Sequence, residues 1–495
     1  MRGRAVPRQD TGDAMEWHAG WRWSLIVAVA MAVAPAQAQG VVGAGGGADL
    51  GGTPETSDQT AAQGTPSQGN ASIQSSLGPA GDPGGLRAAL AQRGVTYSLV
   101  FIGEALGNPA GGARQALIGE DRLDLQLDID LKTAIGLDGA ALHANGYRIG
   151  GAGLGRGALF GLSVPSGIEA LPSTRLYEAW YEQTLAGGKV ALKLGQIGAD
   201  TEFLVSQYAG LFVNATFGWP NVTSYDLPSG GPAYPLAAPG LRLKLAPDPH
   251  WTLLAAVFDG DPSGAARFGT AADPQLLDRH GTAFRLTDRP LTVAEVAYAY
   301  GDKAAGRLPG IVKLGGWRHF GDFAATIPTA SGLTLGSGTG ALQGNDGVYA
   351  LVDQMVYRVP GTEDGAVGLF ARLSGAPGDR NLVSLYADGG ITGKGLVPDR
   401  PDDTAGLSAA FTRLSAAARR TDRAEAAALG TPYPIRSSEM LFEATYQAQV
   451  IPGFTLQPDL QVVIRPGGNI PNPLRADLKP IPNAIVLGLR ATIQY

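Results

Sequence analysis

From residue 123 to residue 131, every odd position carries an apolar side chain and every even position a polar one. Successive side chains of a β-strand point to opposite faces, so a period of two indicates a strand with one apolar and one polar face. The alternation returns over residues 440–450, 454–464 and 485–495. Strands of soluble sandwiches usually run to about five or six residues, whereas these reach the roughly 9–11 that cross a bilayer at a tilt. Their length therefore favours membrane-spanning strands.

The fold predicted from such strands is an all-β, transmembrane antiparallel β-barrel. In lipid, an open sheet edge leaves backbone groups without hydrogen-bond partners, so the sheet has to close on itself. Residues 86–495 leave room for about 16 strands with their loops. A short N-terminal helix is predicted over residues 86–93, ended by Gly94 as a C-cap glycine.

Residues 1–38 have the organisation of a secretory signal peptide, with a charged region, an apolar stretch and small residues that end at Ala38. A membrane helix is the alternative, but the apolar stretch is shorter than the roughly 20 residues that a span needs. We predict that the mature chain begins at Gln39, and both Met1 and Met15 remain candidates for the initiator. Residues 39–85 are predicted to be a disordered Gly/Ser/Gln/Pro-rich segment, because they hold too few large apolar side chains to offset the entropy of ordering. Residues 86–495 form the predicted barrel domain.

Composition excludes several classes of function. The chain has no Cys, which removes disulfides, thiolate nucleophiles and Cys-ligated metals, and its five His are scattered. The net charge of -6 argues against a nucleic-acid partner. The carboxylates of Glu178 and Glu182 could suggest a glycosidase, but paired acids are common in pores and no catalytic motif is present. We predict no enzymatic activity, no metal and no cofactor.

The C-terminal strand ends on an aromatic residue, Tyr495. This ending is typical of the signal by which barrel-assembly machinery recognises outer-membrane proteins. Other aromatic side chains fall on predicted lipid-facing positions, several near strand ends, as interfacial girdles require. The set is Tyr177, Tyr181, Tyr298, Tyr300, Phe442, Tyr446 and Tyr495.

Short motifs follow one another in a fixed order along the chain. They include RLYEAWYEQ at 175–183, LGQI at 194–197, YAGLF at 208–212, FGWP at 217–220, LPSGGPAYPL at 227–236 and FDGDP at 258–262. Over residues 86–495 the sequence resembles the carbohydrate-selective porins of the outer-membrane porin B (OprB) family. The resemblance implies a sixteen-stranded barrel in the bacterial outer membrane with a sugar-permeable lumen.

The function implied by this resemblance is passive diffusion of monosaccharides such as glucose, and of related small carbohydrates, into the periplasm. The preferred sugar is left open. Alternatives are a general or anion-preferring diffusion porin, and a structural or adhesive barrel with a plugged lumen. Expected partners are small neutral sugars, outer-membrane lipid and lipopolysaccharide, and the barrel-assembly machinery through Tyr495. Alternation does not distinguish a monomer from a homotrimer.

Alternation also predicts which side chains face the lumen. If Tyr177 and Tyr181 meet lipid, then Glu178, Trp180 and Glu182 point inward. A turn at Gly187-Gly188 would place Lys193 of the next strand directly opposite Glu182 and diagonally near Trp180. We expect a charge-balanced ladder beside an aromatic ring. The alternative is that these charges only solvate the channel wall, as in a general porin. Further lumen candidates are Asp124, Gln126, Asp128, Arg242, Lys244, Glu295, Lys313, Arg372, Glu443, Gln447, Gln461 and Arg490.

One segment is too rich in Pro and Gly to be a strand. It contains Phe217 and Trp219, followed by a Pro/Gly-rich stretch with Tyr234. The hypothesis is an inward-folded loop that narrows the pore with these three aromatic residues. An extracellular lid is the alternative.

Overall fold

The computed structural model describes residues 72–264, 273–302, 306–324 and 341–495. The predicted signal peptide and most of the predicted disordered segment lie outside the described residues. Sixteen antiparallel strands form one closed barrel, which confirms the predicted fold class. The strands are β1 Val95–Ala110, β2 Leu117–Asp130, β3 Ala140–Gly151, β4 Ser173–Leu185, β5 Val190–Ile197, β6 Ala238–Leu245, β7 Trp251–Phe258, β8 Leu291–Asp302, β9 Arg307–Ala324, β10 Ala341–Arg358, β11 Ala366–Gly375, β12 Val383–Lys394, β13 Thr404–Leu414, β14 Ser438–Ile451, β15 Phe454–Ile464 and β16 Ala484–Gln494.

Each strand pairs with its neighbours in sequence, and β1 pairs with β16 to close the ring. The closing ladder runs from Val100 opposite Gln494 to Ala110 opposite Ile485. Closure satisfies the backbone groups of both terminal strands, which would otherwise face lipid without partners.

Helices are few and lie between strands or before the first one. They are Leu86–Ala91, Leu131–Ile135, Asn221–Asp226, Pro274–Leu277 and Ala416–Leu429, with short 3-10 or π turns in the loops. Within the described ranges, no helix has the length and apolar character needed to span a bilayer.

The two ends of the barrel differ in the length of their connections. Short turns at residues 131–139, 186–189, 246–250, 359–365, 395–403 and 452–453 lie at the same end as the start of β1 and the end of β16. Long connections at residues 152–172, 198–237, 259–290, 415–437 and 465–483 lie at the other end. Outer-membrane barrels have short periplasmic turns and longer extracellular loops. We therefore refer to a short-turn, periplasmic end and a long-loop, extracellular end.

The barrel wall is apolar outside and polar inside. Leu125 and Leu127 are exposed on the outer surface, whereas Asp124 and Gln126, which alternate with them along β2, are buried on the lumen side. This is the arrangement that the period of two predicts for β2. Loops fill part of the lumen, so many inward polar side chains are covered.

Order begins earlier than the predicted domain boundary at Leu86. Residues Ile73–Gly81 and Pro83–Gly85 form 3-10 turns, although they belong to the segment predicted as disordered. The Ser76 hydroxyl donates to the Pro452 carbonyl, and the Tyr495 hydroxyl donates to the Gly81 carbonyl at 2.6 Å. These contacts fix the conformation of residues that their composition alone predicts to be disordered.

Tyr177 is not on the lipid-facing surface where alternation placed it. In the β3–β4 ladder, Asn145 is opposite Glu178 and Gly146 is opposite Leu176, so Tyr177 is the extra residue of a β-bulge. The bulge shifts the phase of the strand, and Tyr177 is buried with 2% exposure. The girdle prediction is wrong for this residue, whereas Tyr298 and Phe442 are exposed as expected.

Candidate functional site

The connection between β5 and β6, residues 198–237, folds into the lumen and is called the constriction loop below. On β14, the Glu443 carboxylate accepts hydrogen bonds from the backbone N–H groups of Val213 at 2.6 Å and Asn214 at 3.2 Å. On β10, the Asp353 carboxylate accepts from the Ser206 hydroxyl and the Gln207 N–H. Because β10 and β14 lie away from β5 and β6 in the ring, the loop crosses the lumen instead of standing outside it.

Two buried cations hold the carbonyl groups of the same loop. Arg372 on β11 donates to the carbonyl oxygens of Leu204, Thr216 and Phe217 at 2.8–3.1 Å. Lys313 on β9 donates to the Val205 carbonyl at 2.9 Å. A buried charge is costly unless it is hydrogen-bonded, so these contacts hold the loop in a defined path.

Apart from Lys193 and Arg242, which are described below, six predicted pore-lining residues act in the structure as anchors for the constriction loop. They face inward as alternation predicts, but each is buried and bonded to the loop, which leaves little surface for a passing solute. Alternation determines which face a side chain occupies, and it carries no information about a loop that later covers that face. The six are Glu178, Glu295, Lys313, Arg372, Glu443 and Gln461.

Aromatic rings fix the two ends of the loop beside β2 and β4. The guanidinium of Arg122 lies 4.7 Å from the ring centre of Tyr147 and 5.1 Å from that of Tyr234. The Asp200 carboxylate accepts from the Tyr177 hydroxyl and from the Tyr234 N–H. Burial raises the pKa of Asp200 to about 7, against the effect of these hydrogen bonds. Tyr234 therefore anchors the loop and also borders the cavity described below.

Four charged side chains meet on the lumen wall between β4 and β6, and are called the charged cluster: Glu182, Lys193, Glu202 and Arg242. Lys193 Nζ lies 2.6 Å from Glu202 Oε1, and Arg242 Nε lies 2.9 Å from Glu202 Oε2. Arg242 also reaches Glu182 at 2.7 Å. Burial disfavours the charged form of Glu202, but Lys193 and Arg242 outweigh it and hold the pKa of this carboxyl below its usual range.

The register between β4 and β5 is the predicted one, but the ion pairs between their charged side chains are different from those predicted. Glu182 on β4 lies directly opposite Lys193 on β5, and the two strands are joined by a four-residue connection with Gly187-Gly188 at its centre. Lys193 nevertheless binds Glu202 of the constriction loop, while Glu182 binds Arg242. Sequence reasoning missed Glu202, because a loop residue has no period that assigns it a face.

An aromatic surface adjoins the charged cluster. Lys193 Nζ lies 3.8 Å from the centre of a Trp180 ring. The His143 ring stacks on Trp180 with centres 4.8 Å apart, and His143 Nδ1 lies 2.7 Å from Asp128. His143 was not predicted, although it is cross-strand from both Asp128 and Trp180. A ring, carboxylates and cations thus share one stretch of the lumen wall.

A cavity of about 460 Å³ lies on the long-loop side, between the β3–β4 connection and the constriction loop. The exposed Tyr225 ring faces it, with its hydroxyl fixed on the Leu162 carbonyl at 3.0 Å. Phe217, predicted at the constriction, instead packs with Phe212 and Phe370 in a buried cluster. The cavity is lined by aromatic and polar side chains that include Arg156, Glu169, Asn214, Trp219, Tyr225, Tyr234 and Gln275.

The remaining predicted lumen residues divide into wall contacts and half-buried side chains. Lys244 and Gln447 are half-buried towards the short-turn end. Two others make contacts inside the wall: Asp124 with Gln126 and Asn145, and Arg490 with Glu104. Gln461 bonds to two loops, through Asn214 and the Pro165 carbonyl. In the part of the chain that the structure describes, no group of three or more His, Asp or Glu side chains could hold a metal ion.

Comparisons with known proteins agree with this architecture. The family model described as "Carbohydrate-selective porin, OprB family" matches residues 114–495. Porin B of Pseudomonas aeruginosa is 24% identical over 445 residues, covering 83% of this chain and 89% of that protein. The high-pH structure of Pseudomonas putida OprB superposes with a TM-score of 0.71 at 20% identity, covering 84% of this chain and 97% of the other. This chain belongs to the OprB family of carbohydrate-selective porins, the β-barrel channels of the bacterial outer membrane.

Proposed function

We propose that this protein is a passive channel through which monosaccharides such as glucose, and related small carbohydrates, diffuse into the periplasm. Membership of the family supports an outer-membrane sugar channel. The proposal that small sugars pass rests mainly on the charged cluster beside Trp180. The cluster lies on the lumen wall, where Glu202 of the constriction loop reaches β5 and β6.

The composition of this site suits a neutral solute. Two carboxylates, Glu182 and Glu202, balance two cations, Lys193 and Arg242, so the cluster presents no net charge to an approaching molecule. Glu182 is the most exposed of the four, with 24% side-chain exposure, and its remaining acceptor positions can exchange water for sugar hydroxyls. The half-buried ring of Trp180 adds apolar surface beside the cluster, which C–H groups of a sugar can contact.

The cavity on the long-loop side supports a route into the site. Its volume of about 460 Å³ lies within the range of small-molecule pockets. Trp219, Tyr225 and Tyr234 give it aromatic character, and Asn214 and Gln275 supply polar groups. We propose that a sugar enters here, passes the constriction loop and leaves past the charged cluster.

Liposome swelling tests the proposal. We expect glucose to enter proteoliposomes faster than an uncharged non-sugar of similar size, and Trp180→Ala to reduce that preference several-fold. Tyr181→Ala is the matched control, because Tyr181 is the next residue on the same strand and points to the opposite face. Equal rates for the two solutes in the wild type would indicate a general porin, and absence of permeation would indicate a plugged barrel.

Assembly is a separate proposal. We expect Tyr495 to be recognised by barrel-assembly machinery before folding, since in the folded barrel its ring contacts Arg87 and its hydroxyl is bonded to Gly81. Deletion of Tyr495 should lower the amount of folded barrel in the outer membrane of cells. The purified variant should still refold in detergent, and failure there would point to a purely structural role.

A further inference from the structure

A basic cleft of about 450 Å³ lies at the long-loop end, apart from the lumen. Its wall includes Arg148 on β3, Thr174 on β4, and Arg279 and His280 in the β7–β8 connection. Arg148 points outward, because its neighbours along the strand are buried and its own side chain is 58% exposed. Thr174 is its direct cross-strand partner.

The segment that carries Arg279 and His280 is fixed against the edge of β4. The Leu176 N–H donates to the His280 carbonyl at 2.9 Å, and His280 Nδ1 lies 3.0 Å from the Thr174 carbonyl oxygen. On the lumen side, Arg175 donates to the Asp278 carbonyl at 2.6 Å. The segment is a turn tied to the backbone of β4 by these hydrogen bonds, and Arg279 and His280 are held next to Arg148.

Positive charge in the cleft exceeds negative charge. Arg148 pairs with Asp121 at 2.8 Å, while Arg279 forms no ion pair with any residue that the structure describes. The exposed side chain of Thr174 adds a hydroxyl to the same cleft. Guanidinium groups and hydroxyls around one space suit an anion with several oxygens, such as a phosphate.

The position of the cleft along the barrel axis indicates where such a phosphate would come from. Arg148 is the cross-strand partner of Leu123, just beyond the exposed apolar side chains of Leu125 and Leu127. The cleft thus lies where the outer apolar surface meets the extracellular end, at the level of lipid headgroups. We propose that it binds the phosphate group of an outer-leaflet glycolipid. This site lies on the outer surface of the wall and does not depend on which solute the lumen carries.

Native mass spectrometry of the mature barrel in a neutral detergent tests the proposal, with a diphosphorylated, acylated glucosamine disaccharide as the probe. The variant Arg148→Gln/Arg279→Gln removes both guanidinium groups. The control Arg318→Gln/Arg413→Gln removes two other exposed arginines from the outer surface at the long-loop end. Both proteins should keep the heat-modifiable mobility of a folded barrel and the wild-type rate of glucose entry.

We expect the cleft variant to bind the lipid at least about tenfold more weakly, and the control to stay within about twofold of the wild type. The dephosphorylated lipid should bind the wild type as weakly as the diphosphorylated lipid binds the cleft variant. Equal weakening in both variants would overturn the proposal in favour of general surface charge. Displacement of the lipid by millimolar inorganic phosphate would make the cleft a free-phosphate site. Loss of an oligomer in the cleft variant would make it a protein interface.

Discussion

Charged side chains in the lumen do not always bind the residue that lies opposite them in the sheet. Lys193 faces Glu182 across the β4–β5 ladder, yet its ammonium group binds Glu202. Alternation along β4 and β5 predicts that Glu182 and Lys193 point inward, because the period of a strand is geometric. It could not predict the partner, since Glu202 reaches the site through a loop whose path depends on contacts far along the chain.

Removing the charge of Glu202 should change the ion preference of the pore. Glu202→Gln leaves Lys193 and Arg242 with one carboxylate between them, so the charged cluster gains one positive charge. We expect the reversal potential in a KCl gradient to move towards the chloride potential. Asp346→Asn, on the exposed outer surface, should leave it unchanged. A reversal potential that does not move would show that Glu202 lies away from the ion path.

The buried carboxyl of Asp200 should make the constriction loop sensitive to pH. Its pKa of about 7 lies above the usual value near 3.9, because burial disfavours the charged form. The folded loop therefore loses stability as pH rises from about 4 to 7, by an amount on the order of 4 kcal/mol.

Hydrogen exchange of residues 198–237, corrected for intrinsic rates, measures this effect. Protection should be higher at about pH 5 than at about pH 8, and Asp200→Asn should remove the difference. Equal protection of the wild type at both pH values would contradict the prediction.

The path of the constriction loop and the bulge in β4 could not be predicted from the sequence. The Pro- and Gly-rich composition of the loop favours an irregular segment with rigid turns, and both an inward loop and an external lid agree with that composition. What holds it inside is a set of wall side chains, such as Glu443 and Asp353, whose bonds to the loop span more than a hundred residues. The bulge at Tyr177 is equally invisible to a period of two, because it depends on the register with β3.

Weakening two anchors should loosen the constriction loop without unfolding the barrel. In Glu443→Gln/Asp353→Asn, an NH2 group that cannot accept replaces one oxygen of each carboxylate. At Glu443, one of the two backbone N–H groups of Val213 and Asn214 therefore loses its acceptor, and at Asp353 the charge that both bonds shared is removed. We expect amide exchange of residues 206–214 to accelerate by about tenfold or more, while the strand ladders stay protected. The control, Asp346→Asn, should leave both regions unchanged. Unchanged exchange in the loop would mean that other contacts hold it.

The closed barrel follows from strand length and the nature of the solvent. Long amphipathic strands predict membrane crossing, and the cost of an open edge in lipid requires closure. The strand number of sixteen was set by chain length and by the family resemblance. The ordered residues 72–85 were not predictable, because their order comes from contacts with Pro452 and Tyr495 at the short-turn end.

A small sugar that passes through the proposed channel must occupy the lumen beside Trp180. Block of the KCl current by glucose in single-channel recordings measures this occupancy, because a sugar in the constriction displaces ions. We predict a saturable block in the wild type and in Tyr181→Ala, and a block weakened several-fold in Trp180→Ala. A current that falls only in proportion to bulk conductivity, alike in all three proteins, would show that glucose does not bind beside Trp180.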